Sequence, residues 1–262
     1  MSHYTVLVVG DNIEEQLWPF WELDLNEEEM KMDPRSVFIS QIKDSEKEEK
    51  FQEFLNKEKD YLEKNNIKYE SATDWMIDWH GYKYNGELQS WGYYKNPQQK
   101  WDWYSVGGRW SGFFLLKNGA TGKLGMPGIY GREEENELPN RADQAKKGDI
   151  DWEGMRQNQI ENSKKLWQKV VVEGKDKYQP DELNFLYGIT PEDTIETFVE
   201  KRSKFPATFA VLKDGNWYEK GKMGWWGITT DEKPDSEWEN EFQKLIEDLP
   251  DDTLLTVVDC HI

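Results

Sequence analysis

The apolar character of this chain is carried by rings rather than by aliphatic side chains. Hydrophobic residues make up only 36% of the 262, yet 14 Trp, 12 Tyr and 11 Phe are among them. Each ring buries a large area, so a sparse aliphatic count still permits a packed core. Length allows one large domain or two small ones, and we read residues 1–262 as a single α+β domain with a helical inserted region at about 132–205.

Charge narrows the class of partner. With 52 acidic and 33 basic side chains the formal charge is −19. Such a surface repels phosphates, which proteins bind through Lys and Arg. Direct nucleic-acid binding is therefore not expected, whereas a basic protein partner or mimicry of a nucleic acid fits the charge. The plainer reading is that the charge keeps the chain in solution. Cys260 is the one cysteine, so no intramolecular disulfide can form. No basic segment followed by an apolar one opens the sequence, and no apolar run approaches the ~20 residues of a membrane span. The expected compartment is the cytosol.

Periodicity supplies the elements. HYTVLVV at His3–Val9 reads as a buried strand closed by Gly10-Asp11-Asn12. Residues 44–65 carry Phe51, Phe54, Leu55 and Leu62 at helical spacing, and a second helix covers 72–79. Tyr, Gly and Asn over 81–96 suit an irregular hairpin. FFLLK at 113–117 reads as a strand ending in an Asn-Gly hairpin turn, and 122–131 as a glycine loop. A long helix is expected over 151–173, then one or two short helices up to 205. Strands at 208–213 and 216–220 flank Asp214-Gly215. A helix over 236–249 has Ser236 as its cap and Glu239 three residues on. TLLTVVDCHI is the final strand. The predicted architecture is an antiparallel sheet holding both terminal strands, covered by helices near 44–79, 151–173 and 236–249.

FFLLKNG followed by GKLG echoes FAVLKDG followed by GKMG. The two stretches are either related hairpins of one sheet or a coincidence of turn chemistry. Asn118-Gly-Ala-Thr-Gly-Lys123 lacks the spacing of a phosphate loop, and Gly125-x-x-Gly128-x-x-Gly131 is not the dinucleotide pattern.

KWDWYSVGGRWSGF at 100–113, with MSHYTVLVVG, FAVLKDGNWYEKGKMGWWG and DTLLTVVDCHI, resembles an uncharacterised family encoded by bacteriophages and bacterial genomes. The likeness runs almost end to end. It implies a phage or prophage setting and a bacterial cytoplasm, and it carries no catalytic residues across.

Two constellations stand out. Trp101, Trp103, Tyr104 and Trp110 offer stacking faces, Asp102 an acceptor, Arg109 a forked donor, and Gly107 and Gly108 close backbone approach. With Trp225 and Trp226 they are candidates for a pocket holding a nucleotide-like molecule. The alternative is an aromatic core clamp at a tight turn. The second constellation is at the termini. Asp259 and His261 lie two apart on a strand and share a face. If the terminal strands are antiparallel neighbours, His3 joins them. The three residues then form a general acid–base group or a metal site of two imidazoles and a carboxylate. The competing reading is hydrogen-bonded sheet-end histidines. Cys260 points the other way, as a small buried hydrophobe.

Three functions remain open. They are a binding module that sequesters a nucleotide-like ligand, a hydrolase-type enzyme using His3, Asp259 and His261, and an acidic inhibitor of a host defence enzyme. Metal and cofactor are left unassigned.

Overall fold

The computed structural model describes residues 2–127, 139–174 and 177–262. The chain is an α+β protein. It divides into two compact units, one made of residues 1–18 and 103–262, the other of residues 19–102. The 84-residue stretch between Trp18 and Trp103 has its own three-stranded sheet.

In the first unit both terminal strands are central. His3–Val9 runs antiparallel to Leu254–His261 along its whole length, with His3 opposite His261 and Val9 opposite Leu255. Central strands are covered on both faces, which explains their near-continuous apolar runs. Tyr4 and Val6 through Val8 are buried, as are Leu255 through Val258. Beyond the first strand lie Ala210–Lys213 and then Asn216–Glu219. The first of these pairs in parallel with His3–Val9, so the sheet is mixed and mostly antiparallel. Asp214 and Gly215 both take positive φ, 53° and 71°, as the Asp-Gly hairpin turn requires.

The other edge of Leu254–His261 is shared. Trp103–Gly108 pairs with Val258 through His261, and Gln144–Lys146 pairs with Leu254 through Thr256. Between them the Val257 N–H donates to the Asp143 carbonyl. The 103–108 strand then meets Met126–Pro127 in parallel. Residues 122–127, expected as loop, are therefore partly sheet, while Gly128 and Gly131 lie outside the described residues.

Helix Asp235–Glu247 closes one face. Trp238, Phe242 and Ile246, spaced four apart, are buried against Leu7, Val211 and Val257. Each contributes about 1.5–3 kcal/mol of burial. The expected cap at Ser236 is not made: Pro234 holds the cap position and Ser236 sits within the first turn. Helix Trp152–Trp167 starts on Asp151, whose carboxylate accepts from the Gly154 N–H at 2.8 Å. It runs into a π-helical turn at Gln168–Val172. Short helices Pro180–Tyr187 and Ile195–Arg202 follow.

The FFLLK segment is not a hairpin arm. Phe114–Leu115 pairs with Arg141–Ala142, and Asn118-Gly119 forms a turn that does not return the strand on itself. The echo between residues 113–125 and 209–224 is thus shared turn chemistry rather than two copies of one hairpin.

The second unit has strands Val37–Lys43, Ser90–Lys95 and Lys83–Asn85, in that order. The helices read from 44–79 belong here and cover this sheet. Phe51, Ala72, Trp75, Met76 and Trp91 form the core, with Phe51 stacked on Trp75 at 5.5 Å. The expected single helix over 44–65 breaks at Glu58 into Lys47–Lys57 and Lys59–Asn65. Helix Glu27–Met32 and strand Val37–Lys43 have no counterpart in the pattern reading, because neither buries a clean periodic face.

Candidate functional site

Antiparallel register brings the terminal residues together. His3 lies opposite His261 and Thr5 opposite Asp259, so all four share a face. His3 Nδ1 is 2.8 Å from Asp259 Oδ1. A carboxylate accepts only, so Nδ1 is the donor, which in a neutral ring leaves the lone pair on Nε2. The His3 and His261 rings meet edge to face at 4.9 Å. One strand further, Trp103 pairs with His261 and stacks on its ring at 5.1 Å and 16°. Trp103 also meets His3 edge to face at 5.2 Å.

Burial is uneven across this cluster. The His3 and Asp259 side chains are 4% and 2% exposed, and His261 is 5% exposed, whereas Trp103 is 44% exposed. The two imidazoles and the carboxylate are thus almost buried, and the indole is the accessible part of the cluster. The alternative of a metal site loses its geometry. Among the described residues no group of three or more His, Cys, Asp or Glu is arranged to hold a metal ion.

The second oxygen of Asp259 accepts from the Arg109 N–H at 2.9 Å, which explains Gly107-Gly108. Both take positive φ, 78° and 53°. A Cβ on Gly108 would overlap Asp259 and lie 2.7 Å from Ser105 Oγ. A Cβ on Gly107 would lie 2.8 Å from Asp143 Cγ. Asp143 is fully buried. It accepts from Ser111 Oγ at 2.8 Å, Gly112 N at 2.5 Å, Phe113 N at 3.1 Å and Gly125 N at 2.8 Å. The paired glycines therefore let the backbone close over two internal carboxylates. The close approach that these glycines allow is to Asp143 and Asp259.

The remaining candidates scatter. Trp101 is buried and bridges to Trp21, and the Asp102 carbonyl accepts from Trp21 Nε1 at 2.9 Å. Both belong to the second unit, while Trp103 through Trp110 belong to the first. Tyr104 faces away from the cluster, opposite Cys260. Burial raises its phenol pKa, with Glu14 and Cys260 adding to the rise. Arg109 is exposed at its side chain and Trp110 is half-buried. Trp226 is 78% exposed at a positive φ of 64°. Its turn is fastened to the start of the first strand: Ser2 Oγ donates to the Gly224 carbonyl and accepts from the Gly227 N–H. The Trp225 side chain lies outside the described part of the structure.

Sequence reasoning passed over Asp143, Ser2 and Thr5. Their partners lie far along the chain, and NRADQAK around Asp143 carries no motif that would mark it.

Fold and site together define an α+β protein whose first unit holds a His–Asp pair, a second His and a half-exposed Trp at the meeting of its terminal strands. No helix among the described residues is long and apolar enough to cross a membrane. No family model matches the chain, and no curated protein and no solved structure matches it either.

Proposed function

We propose that the protein is a hydrolase-type enzyme acting on a nucleotide or another phosphate-bearing molecule. The observation that carries this reading is the 2.8 Å contact between His3 Nδ1 and Asp259 Oδ1, with His261 4.9 Å away ring to ring. Asp259 orients His3 and fixes its tautomer, so Nε2 serves as general base. It takes a proton from an attacking water as the new P–O bond forms. His261 in its protonated form gives a proton to the leaving oxygen as the old bond breaks. A positioned acid or base contributes about 10²–10⁴-fold to such a step. Arg109, whose own N–H donates to Asp259, is the candidate for holding an anionic group. The likeness to phage-encoded proteins supports counter-defence inside an infected bacterium as the setting. Asp143 and Asp259 occupy the space that Gly107 and Gly108 leave, which favours the hydrolase reading over a pocket built on those glycines.

The test is turnover by the full chain of a panel of nucleotides, cyclic nucleotides and dinucleotides, with products separated chromatographically. The expected result is hydrolysis of one class, with kcat falling at least 100-fold in His3→Gln and His261→Gln while both variants melt like the parent. Parent-like turnover in both variants would sink the proposal, as would no product from any member of the panel.

A further inference from the structure

A second site lies in the helical region of the first unit, built by residues that take no part in the His3–Asp259 cluster. At Gln168 the long helix leaves α geometry, and the Glu173 N–H reaches five residues back to the Gln168 carbonyl at 2.9 Å. A π turn widens the helix and is concentrated at functional sites. Here it sets Trp167, Val170 and Val171 along one wall of a cavity of about 510 Å³. Tyr178, Leu183 and Ile189 line it as well. The local core of Val170, Ile189 and Phe198 is packed beside this space and leaves it open. The volume falls within the range of small-molecule sites, which are mainly apolar with a few polar groups.

Charge decides the class of ligand. The one ionised side chain among the described lining residues is Asp193. It is already engaged, with Lys201 Nζ at 2.5 Å, the Thr190 N–H at 2.8 Å and Thr190 Oγ1 at 3.1 Å. The described lining offers no cation of its own and the adjacent Lys201 is already paired with Asp193, so an anionic ligand would find no free positive charge there. Indole and phenol walls favour a flat ring. Gln179 adds a polar group to the lining, and Thr190 Oγ1, which donates to Asp193, can still accept from a ring edge. We propose that this cavity binds a neutral, planar heteroaromatic molecule of nucleoside size, without phosphate.

The probe is adenosine, titrated against the full chain and followed by tryptophan fluorescence and by melting temperature, with AMP as the charged comparison. Adenosine is expected to bind in the micromolar range and AMP at least tenfold more weakly. The quenching should vanish in Trp167→Phe while the melting shift persists. Leu183→Trp and Val171→Phe, which fill the cavity, should each weaken adenosine at least tenfold. Absence of adenosine binding at millimolar concentration overturns the assignment. AMP binding as tightly as adenosine overturns it too, and the adenosine–AMP contrast needs no variant to fold. His3→Gln should leave adenosine binding unchanged, so failure of the hydrolase reading and failure of this one are told apart.

Discussion

Replacing Gly108 by Ala tests whether the glycine pair exists to admit the two carboxylates. The Gly108 φ of 53° is left-handed, and holding a residue with a Cβ there costs about 1–2 kcal/mol. The added methyl would also overlap Asp259 and press on Ser105 Oγ. Overpacking of this kind costs about 1–3 kcal/mol more, so the total is about 2–5 kcal/mol. Gly215 is the matched control. Its φ is 71°, and a Cβ there meets nothing within 4 Å. Gly215→Ala therefore carries the conformational cost alone, about 1–2 kcal/mol. Hydrogen exchange of the peptide covering residues 254–261 reads the sheet locally, without averaging over the two units. At ~1.4 kcal/mol per tenfold, exchange should speed up about 30- to 4,000-fold in Gly108→Ala and about 5- to 30-fold in Gly215→Ala. If the two variants exchange alike, the glycine is not there to make room for Asp259, and the account of the motif is wrong.

Asp143→Ala removes the acceptor of three main-chain N–H groups and one hydroxyl. Each buried donor left without a partner costs about 1–3 kcal/mol, so the variant should lose about 3 kcal/mol or more in urea unfolding, and Asp143→Asn less. A loss under 1 kcal/mol would show that water reaches these donors. Asp193 has its pKa lowered to about 2, first by the Lys201 hydrogen bond and then by the Thr190 N–H. A depressed carboxylate stabilises the fold fully above its unfolded value of about 3.9. That contribution fades as pH falls through the folded value. Melting of Asp193→Asn should therefore sit below the parent by a constant gap at pH 5–7, and the gap should close toward pH 2. A gap that stays constant down to pH 2 would contradict the assignment.

The local elements were largely legible in the chain. The apolar runs of the terminal strands, the Asp-Gly hairpin and the i, i+4 pattern of Trp238, Phe242 and Ile246 depend on neighbours a few residues away, and turn chemistry and side-chain period report such neighbours directly. The echo of FFLLKNG in FAVLKDG shows the limit. Both end in an Asx-Gly turn, but only the second has a returning strand able to pair.

The terminal cluster was legible only as a condition. Asp259 and His261 share a face by the period of a strand, but the arrival of His3 required the two ends of the chain to be antiparallel neighbours. That is a pairing over the full length of the sequence, decided by packing of the whole sheet. The glycine pair shows the same division from the other side. That the backbone at Gly107-Gly108 comes close to something follows from residue type. That it closes on Asp143 and Asp259 follows only from segments 36 and 151 residues further along the chain being laid alongside. The sequence by itself determined which segments extend, which coil and which faces are apolar, because those follow from local covalent geometry. Tertiary structure alone decided which polar groups meet inside, because burial leaves a carboxylate no water and makes distant N–H groups its partners.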